Sequence, residues 1–475
     1  MTDDKQTEPM QYQRYYFLGI GGVNMSALAV LAQAEGKKIR GSDRDTDSAV
    51  VRKLRELGIP VDAEDAVFPI AQTEAVVYTA AISEDHPQLC AARKAGIPCY
   101  SRAEFLGALM CAYRSRIGVA GMHGKSTTTA MLTAIFNAAG LHPAVAGGAP
   151  MAGQDGAWQI GADAQGNDAH TEPFLFEACE YRDSFLSFYP TVAVLLNIDM
   201  DHVDYFHSYA QIEASFAAYA QKAQMVVAYQ PDMHLANALC GYTGTLVTFS
   251  DCTDADYTAQ ELRLHEGFAT FAVYRQKTML GTVRLRVPGA HHVRNALAAL
   301  AVAQESGVPF ATSAQALAAF TGAGRRMEQI AEPNGVPVYL DYAHHPTELR
   351  ASIATAKAMT HGRVLCAFQS HTYSRTAVLL SEFAAALREA DFVLIAPIYA
   401  AREQNKYGVT PQMLAEATGA HAQACLDVTQ ILPKLTAQAR PGDLILILGA
   451  GDLALQIKAA VQNPLGNGQF AHSEP

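Results

Sequence analysis

The sequence predicts an α/β protein made of three consecutive units, and three observations carry that reading. Short apolar runs alternate with helically spaced segments along nearly the whole chain, the pattern of parallel sheets with crossover helices. Two of those runs end in glycine-rich turns that open a helix, at 19–22 and 121–124. The chain has 475 residues, the length of three domains of ordinary size.

In the first unit the opening ten residues read as a frayed tail. Arg14 to Leu18 is a buried strand, and Gly19-Ile20-Gly21-Gly22 turns it into a helix from about Asn24 to Ala34. A strand from Lys38 to Gly41 leads to Ser42-Asp43. Ala75 to Thr79 is a further strand and Arg102 to Ala112 a helix. A second unit begins at Arg116, with buried-type strands at Ile117–Ala120, Phe174–Ala178 and Val192–Ile198. Residues 151–172 are rich in Gly, Ala and Asp and read as a long surface loop. Alternation near 265–287 suggests a hairpin, and helical spacing runs from His291 to about Glu305. The third unit starts near Met327, with strands at Val336–Leu340, Val364–Phe368, Phe392–Ala396 and Leu444–Leu448. The last dozen residues are polar and read as loose. No internal repeat is visible.

Composition narrows the function. The net charge of −11 argues against a general nucleic-acid binder and against an anionic membrane surface, while leaving phosphate-binding loops open. No apolar run approaches the length of a membrane span, and the polar N-terminus lacks the basic and apolar regions of a signal peptide. The eight cysteines are scattered without C-x-x-C spacing, which fits free thiols in a reducing compartment. A cytoplasmic protein with small-molecule partners, and neither nucleic acid nor membrane, is expected.

Residues 117–130 are the most informative stretch. An apolar run ends in Gly121-Met122-His123-Gly124, then Lys125-Ser126-Thr127 opens a helix. Small residues let backbone N–H groups reach phosphates, the lysine reaches the β/γ oxygens, and the serine hydroxyl suits Mg²⁺. The loop departs from a strict Walker A, because Val119 stands where that pattern has glycine. Gly19-x-Gly21-Gly22-x-Asn24 approximates a dinucleotide fingerprint, with Asp43 placed 22 residues after Gly21. Alone it would mean NAD; more safely it means a diphosphate at a helix N-terminus. Glu177 and Asp201-His202 end two apolar strands. If those strands run parallel to Ile117–Ala120, all three ends share the ligand-binding edge of one sheet, and carboxylate with imidazole beside Ser126 would suit a metal. His291 and Asn295 share a helix face. Arg325-Arg326, Asp341-Tyr-Ala-His344-His345-Pro346-Thr-Glu348 and His371-Thr-Tyr373-Ser-Arg375 are polar clusters at strand ends in the third unit.

Taken together these segments resemble the Mur ligase family, from about Tyr15 to Asp452. The resemblance rests on Gly19-Ile-Gly-Gly-Val-Asn-Met-Ser, Arg102-Ala-Glu, Gly121-Met-His-Gly-Lys-Ser-Thr and Glu177-Ala-Cys-Glu with Asp201-His202. It continues through Pro288-Gly-Ala-His291-His-Val-Arg-Asn295, Arg325-Arg-Met-Glu, the Asp341–Glu348 and Phe368–Thr376 segments, and Gly449-Ala-Gly-Asp. It implies a Rossmann-like N-terminal domain over 1–113 that binds a UDP-sugar through Gly19, Gly21, Gly22, Ser42 and Asp43. It implies a central P-loop ATPase-like domain over 114–326 and a Rossmann-like C-terminal amino-acid-binding domain over 327–475. The implied cofactors are ATP and Mg²⁺. Gly121, His123, Gly124, Lys125, Ser126 and Thr127 would hold the phosphates, and Ser126, Glu177 and His202 the metal. His291 and Asn295 would hold adenine, Asp341 the ribose and Arg326 the γ-phosphate. His344 and Arg375 would approach the amino acid or the transferred groups. The implied reaction joins L-alanine to the lactyl carboxylate of UDP-N-acetylmuramate through an acyl phosphate, in a monomer or homodimer. The alternative joins a preformed tripeptide to the same nucleotide sugar.

Departures are Met122 where the family usually has Thr, Asn24 for Gly and His292 for Asn. Related ligases carry a modified lysine about 15 residues after the histidine; Ala217 stands there, so none is expected. Two rivals of other classes remain at this stage. An NAD-dependent oxidoreductase leaves Lys125 and Asp341–Pro346 unexplained, and a non-catalytic nucleotide-binding module would release no phosphate.

Overall fold

The computed structural model describes residues 4–79, 81–149, 156–161, 169–401 and 403–462. Its strands form three sheets in sequence order. The first has five parallel strands, in the order Val61–Ala63, Lys38–Asp43, Arg14–Leu18, Ala75–Tyr78, Cys99–Ser101. Arg14–Leu18 lies at the centre, where the strand order reverses, so the Gly19–Gly22 turn opens at the position where such sheets bind ligands. The opening residues are not a frayed tail. Asp4–Thr7 is helical and Glu8–Met10 forms a 3₁₀ turn that buries Pro9, whose carbonyl accepts from the Tyr15 hydroxyl at 2.8 Å. The helix Arg102–Met110 starts on a capping box. The Ser101 hydroxyl accepts from Glu104 N–H (3.2 Å), and the Glu104 carboxylate accepts from Ser101 N–H (2.7 Å).

The second sheet has ten strands. Arg116–Ala120 runs parallel between Phe174–Glu177 and Val192–Leu195, so the three strand ends expected to share an edge do share it. The hairpin expected near 265–287 belongs to a three-stranded antiparallel extension, Tyr257–His265, Phe268–Arg275 and Thr278–Pro288. The expected loop at 151–172 lies partly outside the described residues. Within it, Trp158–Gln159 pairs antiparallel with Ala144–Ala146, burying Ala157. The third sheet is parallel except for its edge strand Glu328–Ala331. Helix Pro346–Met359 begins with proline at its first position and Glu348 in its first turn, both favourable at a helix N-terminus.

Burial divides the chain unevenly. One apolar cluster runs without a break from Phe17, Leu28 and Phe105 through Tyr113 to Phe174, Phe176 and Phe188, joining the first two units. The third unit keeps two clusters of its own, one on each face of its sheet, around Phe368 and Phe383 and around Leu340 and Ile447. Among the described residues no helix is long and apolar enough to cross a membrane.

Candidate active site

The loop after strand Arg116–Ala120 is shaped by two glycines that other residues could not replace. Gly121 has φ 140° and Gly124 φ 89°, both in the region that favours glycine. A Cβ on Gly124 would lie 2.5 Å from Asn295 Oδ1, so the loop is seated directly on helix His291–Glu305. Asn197 clamps it from the other side. Its Oδ1 accepts from His123 N–H and its Nδ2 donates to the His123 carbonyl, each at 2.9 Å. Gly124 then caps helix Lys125–Ala138, whose first N–H groups are free for an anion.

Lys125 Nζ donates to the Gly121 carbonyl at 2.5 Å and sits 3.0 Å from Glu180 Oε2. Burial works against its charge, but the carboxylate of Glu180 outweighs burial and raises its pKa. Glu180 is itself fully buried; burial would raise its pKa, yet Lys125 and His202 hold it lowered. His202 Nε2 lies 3.1 Å from Glu180 Oε1, and its backbone is left-handed at φ 52°. A non-glycine residue held there is a strained position of the kind found at functional sites. Ser126 Oγ donates to Glu177 Oε2 at 2.6 Å. A hydroxyl and a carboxylate in contact at a phosphate loop are the hard oxygen donors that Mg²⁺ takes, so this pair fits the ion. A Cβ on Gly148 would meet Glu177 Oε2 at 2.3 Å, so bare backbone roofs the carboxylate.

Two cavities meet at this loop. One, of about 280 Å³, is lined by Thr127, Tyr229, Phe249, His291, Asn295 and Asp341 among others, and its aromatic and imidazole walls suit a flat base. His291 is kept neutral there, its pKa pushed down to about 4 by burial and by Arg326. The other, of about 290 Å³, gathers residues from all three units: Asn24, Lys125, Glu177, His202, Arg326 and His344. Gly124, Arg326 and Glu348 line both.

Arg326 reaches both because its backbone neighbours are twisted. Arg325 (φ 60°) and Met327 (φ 46°) are left-handed, and the Arg326 guanidinium lies 5.0 Å over the Tyr342 ring. Asp341 is buried with its oxygens engaged, accepting from Met327 N–H (2.8 Å), Ala343 N–H (2.9 Å) and Ser352 Oγ (3.1 Å). His344 lines the second cavity with its pKa pushed down to about 4 by burial. Arg375 lines neither cavity. Its Nη2 donates to Asp201 Oδ1 at 2.8 Å, with both groups buried. In the first unit, Gly19 is left-handed (φ 74°) and Gly21 N–H donates to Asp43 Oδ2 at 2.7 Å, so Asp43 braces the turn. Ser42 is buried, its hydroxyl donating to Gln88 at 2.6 Å. Lys222 donates to the Leu186 carbonyl and lies 5.2 Å over Tyr189. Met122 is buried in the apolar cluster beneath the loop.

Sequence reading missed the groups that organise these side chains. Glu180 was visible only as the fourth letter of Glu177-Ala-Cys-Glu180. Asp199 accepts from His123 (3.1 Å) and from Thr347 Oγ1 (2.8 Å). Glu348 accepts from His123 Nδ1 (3.2 Å) and His344 N–H (2.9 Å). The available signal was position, since each lies within four residues of a strand end or helix start.

Comparison with known proteins accounts for all three units. Residues 14–114 match the model described as Mur ligase family, catalytic domain. Residues 119–303 match the Mur ligase middle domain, and residues 325–451 match Mur ligase, glutamate ligase domain. The UDP-N-acetylmuramate–L-alanine ligase of Caldicellulosiruptor bescii is 40% identical over 448 residues, covering 93% of this chain and 96% of that one. Its namesake from Clostridium tetani is 36% identical over the same coverage. Among solved structures, the UDP-N-acetylmuramate–alanine ligase of Thermotoga maritima superposes with a TM-score of 0.79 at 25% identity, covering 95% of this chain and 99% of that one. A murein peptide ligase from Psychrobacter arcticus shares the fold, with a TM-score of 0.72 at 24% identity, covering 95% and 99%.

Proposed function

The chain belongs to the Mur ligase family, and from that premise we propose that it joins L-alanine to the lactyl carboxylate of UDP-N-acetylmuramate, converting ATP to ADP and phosphate. It is a C–N bond-forming ligase of peptidoglycan precursor synthesis. One observation carries the assignment: the second cavity brings Val23 and Asn24 of the first unit, the phosphate loop, the Glu177–His202 edge, Arg326 and the third unit's His344 to one volume. An NAD-dependent oxidoreductase has no use for that convergence.

The chemistry follows from what the residues can stabilise. A carboxylate and an ammonium do not condense at neutral pH. One lactyl oxygen attacks the γ-phosphorus, the bond to the β,γ-bridging oxygen breaks, and ADP departs from the acyl phosphate. The amine of L-alanine, after losing a proton, attacks the acyl carbon. The C–O bond to phosphate breaks and the amide remains. Lys125 and Arg326 oppose the charge that accumulates on the transferring phosphoryl oxygens, and the helix N-terminus at Gly124 adds fixed N–H donors. Mg²⁺ held by Ser126, Glu177 and His202 would screen the β/γ oxygens. His291 and Asn295 suit adenine, Asp341 the ribose side of that cavity, and the Gly19–Gly22 turn, with Ser42 and Asp43 supporting it, the UDP-sugar diphosphate. His344 faces the reacting groups, while Arg375 supports them through Asp201. Soluble nucleotide substrates fit a cytoplasmic enzyme acting as monomer or homodimer.

Phosphate release from ATP, measured with UDP-N-acetylmuramate and a panel of amino acids plus the tripeptide L-Ala-γ-D-Glu-meso-diaminopimelate, tests this. Release that depends on L-alanine is expected. Release with the tripeptide and not with L-alanine would make it the recycling enzyme instead.

A further inference from the structure

In the wall of the nucleotide cavity, which His123 and Asp199 line, lies a cluster to which the ligation steps above assign no part. His123, Asp199 and His345 present one ligand atom each, all within 4.8 Å of one another. His123 Nε2 is 3.1 Å and His345 Nδ1 3.7 Å from the same oxygen, Asp199 Oδ2. The outward nitrogen of each ring is held by an acceptor. Glu348 Oε1 lies 3.2 Å from His123 Nδ1, and the Met200 carbonyl lies 3.2 Å from His345 Nε2.

Glu348 can take Nδ1–H of His123 and the Met200 carbonyl can take Nε2–H of His345, so a cation that displaces the second proton of His123 would meet a lone pair on each inward nitrogen. His345 Nδ1 accepts only a long contact from Thr347 N–H at 3.4 Å. Two imidazole nitrogens and a carboxylate oxygen then lie within 4.8 Å of one another, and a positive centre among them is favoured. A proton on His123 satisfies one pair of these atoms; a cation satisfies all three. An outer carboxylate behind a ligating histidine is also the usual second layer of a zinc site.

We propose that His123, Asp199 and His345 form a binding site for a late first-row divalent cation of the Zn²⁺ class, which ties the third unit to the central one. The dimensions agree. Zn–N and Zn–O bonds of about 2.0–2.2 Å in a tetrahedron set ligand atoms roughly 3.3–3.6 Å apart, close to the 3.1 and 3.7 Å from Asp199 Oδ2, with the third separation within 4.8 Å. Two imidazoles with one carboxylate select Zn²⁺ or Co²⁺ over Mg²⁺, which prefers an all-oxygen shell. The fourth position is left to water. His123 lies in the phosphate loop and Asp199 follows strand Val192–Leu195, whereas His345 caps helix Pro346–Met359 of the third unit. Ligation by all three therefore staples the seam that must open for substrates to enter, and the site would act as a transition-metal brake distinct from the Ser126–Glu177 pair.

Cobalt titration of the full chain, freed of metal and without nucleotide, reads the site directly, because four-coordinate Co²⁺ has intense visible bands. One equivalent of Co²⁺ is expected to give those bands, and Zn²⁺ to abolish them by displacement. His345→Asn and, independently, Asp199→Asn are expected to weaken binding by about 100-fold or more, since even outer partners of a metal site are worth 10–100-fold. His202→Asn is expected to leave the bands intact. No four-coordinate spectrum in the wild-type chain, or bands that survive both His345→Asn and Asp199→Asn, would overturn the proposal. So would bands lost in His202→Asn alone. None of these readouts depends on the ligase assignment.

Discussion

The two seams between units are built from opposite materials. Between the first and second units the seam is apolar and continuous. Helix Arg102–Met110 presses so close that a Cβ on Gly107 would lie 2.1 Å from the Ser187 carbonyl oxygen, and Tyr113 packs on Phe174 at 4.8 Å. Between the second and third units the seam is polar: Arg375 to Asp201, His123 to Glu348, Thr347 to Asp199, His345 to the Met200 carbonyl. Apolar burial loses its free energy on any separation, because water gains the exposed surface. Charged groups at a seam recover hydration when it opens, so the net cost of opening is small. The chemistry explains the asymmetry. On the proposed reaction, the Gly19–Gly22 turn would stay in register with the phosphate loop, while the third unit would part from it to admit nucleotide and release product.

The first way to break this comparison is at the apolar seam, where the largest effect is expected. Gly107→Leu forces a side chain into the Ser187 backbone, which cannot yield without separating the units. Overpacking of this kind costs about 1–3 kcal/mol in ordinary cores and more against backbone. Loss of soluble protein, or a midpoint lowered by 10 °C or more on calorimetry (about 2–4 °C per kcal/mol), is expected. A variant that melts like the wild type would mean that the apolar seam is not a rigid joint.

The corresponding change at the polar seam should read out in turnover instead. Asp201→Asn strands the buried Arg375 guanidinium. Removing one partner of a buried pair costs about 3–5 kcal/mol, here charged to the closed state alone. The expected result is a fall in turnover of about 100-fold or more with a midpoint changed by less than 2 °C, taking 1.4 kcal/mol per tenfold. The double variant Asp201→Asn with Arg375→Met should regain part of that loss, since no charge is then left unpaired. Equal losses of midpoint and turnover would show that this seam is structural like the first. Small-angle scattering sharpens the point: adding ATP analogue, Mg²⁺ and UDP-N-acetylmuramate should shrink the wild-type envelope and leave that of Asp201→Asn unchanged.

How legible each seam was in the sequence follows from the same physics. Strand positions were readable because buried parallel strands are short apolar runs, and the shared edge of Ile117, Phe174 and Val192 followed from parallel order alone. The apolar seam was not readable. Phe105, Tyr113 and Phe188 look like any core residue, and nothing in a linear pattern says which sheet a core residue faces. At the site, Lys125, Ser126 and Glu177 were visible because phosphate chemistry dictates their types at fixed local spacing. Glu180, Asp199 and Glu348 were invisible as partners because their meaning is in contacts across 55, 76 and 225 residues. Arg375 was legible as a cation but its ion pair was not, because its buried partner Asp201 lies 174 residues away. The tail at 4–10 was misread because polarity suggested solvent, whereas Tyr15 draws the Pro9 carbonyl inward.

The smallest expected effect is on pH, and it separates the seams in the unaltered chain. His123 has its pKa pushed up to about 9: burial opposes the charge, but Asp199 and Glu348 outweigh it. Both carboxylates are themselves held below their ordinary range by this histidine and its neighbours, so they stay charged throughout. A raised folded value means that the contribution is complete below about 6.5 and is lost progressively as the pH rises through about 9. The polar seam should therefore loosen between pH 7 and 9.5 in metal-free buffer, while the first seam, held by apolar packing as well as by the His170–Glu35 contact at 2.9 Å, holds. Differential hydrogen exchange is the measurement. Amides of the Pro346–Met359 helix start should lose protection beyond the intrinsic base-catalysed rise, by several-fold, whereas those of Arg102–Met110 should not. His123→Gln should remove the pH dependence and leave the helix start loose at both values. Parallel loss at the two helices would mean that the chain opens as one body and that the difference in material does not govern the motion.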